Sequence, residues 1–200
     1  MARIRRFTSA TVALTAAASL AAACAGTPAR PAGSDRVKPS YNEATGQLER
    51  ITYDRNGDGR TDATTFMSGT NVVRAELDEN YDGHIDRWEH YAKSSSAGPA
   101  EASARVLEKV ESTTRTDGKI TRRETYEGGV RRGVEEDTDS DGRFDKWETW
   151  EGGALRVVAL DTRGGGRPDR RLVYPADGQA PRLEVDESGA GTFTPVSSKQ

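Results

Sequence analysis

Apolar and polar residues alternate with a period of two through most of this chain, and the alternation restarts at a spacing marked by glycine. Gly59 to Gly83, Gly118 to Gly142 and Gly142 to Gly166 are each 24 residues apart, Gly166 to Gly191 is 25, and Gly83 to Gly118 is 35. Alignment on that glycine brings out three columns. Eight residues before it stand Ile51, Ala75, Val110, Val134, Val158 and Leu183. Two residues after it stand Thr61, Ile85, Ile120, Phe144, Pro168 and Phe193, and eight after it Met67, Tyr91, Tyr126, Trp150 and Tyr174. Even offsets place such columns on one face of a strand, and the aromatic and threonine content of residues 143–150 suits one. Midway between the aligned glycines, Gly128-Gly129, Gly152-Gly153, Ser68-Gly69-Thr70-Asn71 and Ala176-Asp177-Gly178 are tight-turn signals that close hairpins. The repetition predicts an all-β fold, an antiparallel meander of ~24-residue hairpin repeats with one loop type along each edge. The long interval is an insertion over about residues 93–116, at the turn edge where extra chain is tolerated, with a short helix expected over residues 100–107.

The segments that carry the aligned glycine are acidic, and three of them share the pattern D-x-[DN]-x-D-G-x-x-D. The first supplies Asp54, Asn56, Asp58 and Asp62, the second Asp78, Asn80, Asp82 and Asp86, and the third Asp137, Asp139, Asp141 and Asp145. This spacing, at positions 1, 3, 5 and 9, curls oxygen side chains around one point, and the carbonyls of Arg60, His84 and Arg143 fall at position 7. A hard cation such as Ca²⁺ takes about six to eight oxygens in such a cradle. Asx residues also make good turns unaided. Turn formation does not explain the carboxylates gathered in each loop, which repel one another unless a cation neutralises them. Three further segments keep the frame and lose ligands: Asp117 alone remains before Gly118, Asp161 and Asp169 flank Gly166, and Asp186 precedes Gly191. These three are expected not to hold metal tightly.

The second and third loops also resemble the EF-hand, with Glu89 and Glu148 at position 12, where that family places a bidentate glutamate. The EF-hand resemblance implies an alternative helix–loop–helix fold. Against it, only 15 residues separate Asp62 from Asp78, and the paired glycines would break flanking helices. The aspartate shared at position 9 is more similar to the calcium loop between β-strands of integrin-type repeats. That resemblance implies Asp62, Asp86 and Asp145 as direct or water-mediated ligands, with the glutamates optional. The sheet with Ca²⁺ loops is therefore the favoured expectation.

Composition then places the chain in the cell. Arg3, Arg5 and Arg6 precede an uncharged apolar stretch that ends at the single cysteine, Cys24, the layout of an export signal over residues 1–23. Leu20-Ala21-Ala22-Ala23-Cys24 resembles the lipobox of bacterial lipoproteins, with Ala21 where leucine is usual. The lipobox resemblance implies lipidation of Cys24, a membrane anchor and an address at the outer membrane or cell surface. Residues 24–40, rich in Pro, Gly and Ala, read as a tether, and residues 41–200 as one domain. Removing residues 1–23 takes three of 29 basic residues and none of 32 acidic ones, which moves the formal charge from −3 to −6. An acidic balance argues against nucleic acid and suits cation binding.

No catalytic motif occurs; His84 lies inside a loop and His90 between Glu89 and Tyr91, so the expectation is a non-enzyme. The sequence supports an envelope-anchored calcium-binding lipoprotein whose metal stabilises a structural or adhesive module. The alternative is a periplasmic calcium sensor or buffer with EF-hand-like sites. Trp88 and Trp147, at odd offset from the apolar columns, are expected on the opposite face, a surface suited to a protein or glycan partner.

Overall fold

A computed structural model describes residues 34–92 and 106–196. After one 3₁₀ turn (Ser34–Arg36) come β1 (Val37–Tyr41), β2 (Leu48–Tyr53), β3 (Ala63–Ser68), β4 (Asn71–Leu77) and β5 (Arg87–Tyr91). There follow β6 (Leu107–Ser112), β7 (Arg122–Glu127), β8 (Val130–Glu136), β9 (Lys146–Glu151) and β10 (Ala154–Leu160). The series closes with β11 (Arg170–Val173), β12 (Arg182–Val185) and β13 (Thr194–Pro195). All pair antiparallel with their neighbours in sequence, giving one 13-stranded meander among the described residues. The helix–loop–helix alternative is thereby overturned: strands flank every acidic loop, and no α-helix occurs among the described residues. The sheet also begins at Val37, inside the stretch read as tether, and Leu107 to Ser112 of the expected insertion form β6. Cys24, the export signal and most of the expected helix at 100–107 lie outside the described residues.

The two edges of the meander use different chemistry. Gly128 and Gly129 have φ of 57° and 77°, and Gly152 and Gly153 have 57° and 79°, so both connections are two-residue turns with two left-handed positions. Glycine takes that conformation without a Cβ penalty, and its twist matches that of the flanking strands. Beside the turns the register slips, at Phe66/Met67, His90/Tyr91 and Thr125/Tyr126, so the column eight residues after the glycine sits next to the bulges. The other edge carries the six glycine-centred loops, numbered here L1 (54–62), L2 (78–86), L3 (113–121), L4 (137–145), L5 (161–169) and L6 (186–194).

Register explains how a single sheet buries anything. One row runs Ile51, Thr65, Ala75, Glu89, Val110, Glu124, Val134, Glu148, Val158, Leu172 and Leu183 across eleven strands. The apolar column and the glutamates thus alternate on one face. Val110 and Val134 are only 2% and 1% exposed. Each glutamate beside them is held by a cation two residues before it and a ring two residues after it. Arg122 Nε and Tyr126 Oη bond Glu124 at 3.1 and 2.8 Å, and Lys146 Nζ and Trp150 Nε1 bond Glu148 at 3.1 and 3.0 Å. The stems and rings of these long side chains cover the valines. Trp88 and Trp147 lie on the opposite face, in a row with Glu76, Glu111, Arg123 and Glu135.

Candidate metal centre

The six loops are joined into one edge by backbone hydrogen bonds. The N–H at position 1 of each loop donates to the carbonyl at position 9 of the loop before it. The pairs are Asp78 to Asp62 (2.7 Å), Thr113 to Asp86 (2.9 Å), Asp137 to Thr121 (2.8 Å), Asp161 to Asp145 (2.8 Å) and Asp186 to Asp169 (2.8 Å). Positions 1 and 9 are consequently pulled inward: Asp62, Asp78, Asp137, Asp169 and Asp186 are all buried.

Inside L1, L2 and L4 the side chains repeat one hydrogen-bond scheme. The carboxylate at position 1 accepts the N–H of the glycine at position 6, at 2.9 Å for Asp54, 2.8 Å for Asp78 and 3.0 Å for Asp137. The oxygen at position 3 (Asn56, Asn80, Asp139) accepts the N–H of position 5, at 2.9, 2.9 and 3.1 Å. Asp58, Asp82 and Asp141 each accept the N–H of position 7, from Arg60, His84 and Arg143, at 2.8 Å. The Arg60 N–H is the main cause that holds the Asp58 carboxyl below its usual range. Asp62, Asp86 and Asp145 accept from the N–H groups of positions 2 and 3. The same backbone N–H scheme shapes all three loops, yet only in L4 do three carboxylates come together; Asp54, Asp58 and Asp62 of L1 and Asp78, Asp82 and Asp86 of L2 form no such group.

Two differences single out L4. It alone has aspartate rather than asparagine at position 3, and ligand atoms of Asp137, Asp139 and Asp145 lie within 4.8 Å of one another, a possible three-carboxylate metal-binding group. Asp137 is 6% exposed, and its Oδ1 is buried with no hydrogen-bond partner. In L1 the corresponding Asp54 has both oxygens bonded, and in L2 so does Asp78. Like charges this close repel by up to ~4 kcal/mol per pair at an effective dielectric of about 20, less where solvent screens Asp139. A buried carboxylate with one unpaired oxygen, grouped with two other carboxylates, is the place where a cation returns most.

L3 and L5 show another way to balance the frame, through arginine contacts that sequence reading did not anticipate. Each has arginine at position 3. Arg115 bonds Asp117 of its own loop through Nη2 at 2.7 Å and donates Nη1 to the Ser140 carbonyl of L4 at 2.9 Å. Arg163 lies 3.6 Å from Asp169 of its own loop and donates to the Asp186 and Glu187 carbonyls of L6 at 3.2 and 3.3 Å. A guanidinium thus stands in L3 and L5 where the Asp139 carboxylate stands in L4. The signal was present in the letters, as arginine two places after the loop start.

Glu89 and Glu148 are placed in β5 and β9, away from the three-aspartate group. Glu89 is bonded by Arg87 Nε (2.9 Å) and by the Tyr91 hydroxyl. Glu124 occupies the same position after L3, which lacks the acidic set, so glutamate at position 12 also occurs in this register without the acidic pattern. His84 is exposed, and His90 Nε2 faces Glu111 at 3.3 Å. Comparison with protein-family models gave no match, and comparison with curated proteins gave no significant match either.

Proposed function

We propose that L4 binds Ca²⁺ and that the ion fastens a non-catalytic, envelope-anchored repeat module. The observation that carries the reading is Asp137, buried with its Oδ1 unpartnered, whose carboxylate groups with those of Asp139 and Asp145 within 4.8 Å. Asp137, Asp139 and Asp145 would supply carboxylate oxygens, with Asp141 and the Arg143 carbonyl completing the set at positions 5 and 7. Calcium suits a set made only of oxygens on a flexible loop, whereas Mg²⁺ demands tighter octahedral geometry and keeps its waters. L1 and L2 have asparagine at position 3, one formal charge fewer in the same frame, and are the weaker sites. The lipid on Cys24 would tether the sheet to the membrane, leaving Trp88 and Trp147, both half-buried on the charged face, toward a protein or glycan partner.

Isothermal titration of the full chain with CaCl₂ and with MgCl₂ tests the metal assignment. Calcium is expected to bind at least tenfold tighter than magnesium, and Asp137→Asn should remove the tightest site. Unchanged calcium binding in that variant would refute the assignment.

A further inference from the structure

We propose that Arg115 of L3 is a positioning residue for the metal centre in L4. The inference rests on the assignment of metal to L4. Ser140, at position 4 of that loop, has a φ of 65°, a left-handed conformation that costs a residue bearing a Cβ. Position 4 is left-handed in all three acidic loops, at Gly57 (83°), Tyr81 (63°) and Ser140, because the chain must reverse between the ligands at positions 3 and 5. Glycine accommodates this freely in L1. In L2 the Tyr81 ring lies 5.9 Å from the Arg55 guanidinium of the loop before it. In L4 the hold is a hydrogen bond to the strained residue itself, from Arg115 Nη1 to Ser140 O.

The guanidinium is aimed by its own loop. Asp117 accepts from Nε and Nη2 of Arg115 at 3.1 and 2.7 Å, which leaves Nη1 directed at the next loop. The same device recurs from L5 to L6, where Arg163 at the same loop position donates across to two carbonyls. Through Ser140 the brace fixes the segment that carries Asp139 and Asp141. Arg115 also places a positive charge near the centre, which by itself would weaken cation binding; the facing Asp117 carboxylate offsets that charge. The brace therefore outweighs the repulsion, and removing Arg115 loosens calcium.

A double-mutant cycle on the full chain separates the two effects, using CaCl₂ titration and amide exchange in EDTA. Arg115→Ala should weaken the tightest calcium site by roughly tenfold, the worth of one charge-assisted hydrogen bond. In a Ser140→Gly background, where the left-handed position is free of strain, the same change should alter affinity by less than about threefold. In EDTA, Arg115→Ala should speed exchange of the Gly142 amide, which bonds Asp137, without any metal present. Equal or tighter calcium binding in Arg115→Ala, or equal losses in both backgrounds, would overturn the proposal. A wild-type chain that binds no calcium would sink the metal assignment instead, and the exchange measurement would still decide whether the brace exists.

Discussion

Asp117 shows how a single residue in the loop edge can be checked without metal. The Arg115 guanidinium, followed by the Lys119 N–H, lowers its pKa from 3.8 to about 2. Because the folded value is depressed, the pair contributes stability above pH of about 4 and loses it as pH falls through about 2. An NMR titration of the Asp117 carboxyl carbon should give a midpoint near 2 that rises in Arg115→Ala and stays below the ordinary carboxylate value, because the Lys119 N–H remains; a wild-type midpoint near 4 would mean the pair does not form in solution. Asp139 offers the second check. Asparagine at this position makes L4 match L1 and L2, so Asp139→Asn should weaken calcium about tenfold, since ligand charge count tunes affinity in such loops. At this scale the sequence was informative about the loops and their Asx-bonded turns, which D-x-[DN]-x-D-G-x-x-D encodes; that three carboxylates group in L4, and not in L1 or L2, was not legible in it. It was silent about Asp137 Oδ1, because burial and the lack of a partner are properties of the folded edge.

At the scale of the element, the hairpin repeat was legible because two periods coincide: alternation along each strand and glycine every 24 residues. Columns eight before the glycine became one sheet row, with Val110 and Val134 at its centre. Val134→Ala should cost about 2 kcal/mol, from two methylene-sized groups and an unfilled space between Glu124 and Glu148, read as a lower urea midpoint with unchanged slope. A loss below about 0.5 kcal/mol would mean the row is not a packed layer. The EF-hand resemblance at Glu89 and Glu148 did not extend to the fold, for a physical reason: both lie on strands, β5 and β9. Position 12 of each loop falls opposite the valine column, where a carboxylate is wanted by Arg87 or Lys146 and by Tyr91 or Trp150. A helix ligand and a sheet partner happen to share one spacing.

At the scale of the whole, the described residues form one thirteen-stranded sheet with very little interior. Among the described residues the buried hydrophobics are Val72, Val110 and Val134, so stability rests on ladder hydrogen bonds, half-buried ion pairs and side-chain stems. Its terminal strands carry Pro39 and Pro195, which lack the N–H that another strand would need. Pro39→Val, in a strand with Val37 and Tyr41 44% and 59% exposed, should promote self-association detectable by light scattering; a variant that stays as dispersed as wild type would show that the edge is guarded otherwise. With so thin a core, cation binding converts directly into folding stability. At about 1 mM free calcium and a Kd of about 10⁻⁴ M, one site adds about 1.4 kcal/mol, or a rise of about 3–6 °C in Tm for a chain this size. The most direct measurement is thermal unfolding of the full chain and of Asp137→Asn in EDTA, calcium and magnesium. The account predicts a calcium-specific rise in Tm that the variant loses; equal melting in all three solutions, or an undiminished rise in Asp137→Asn, would contradict it.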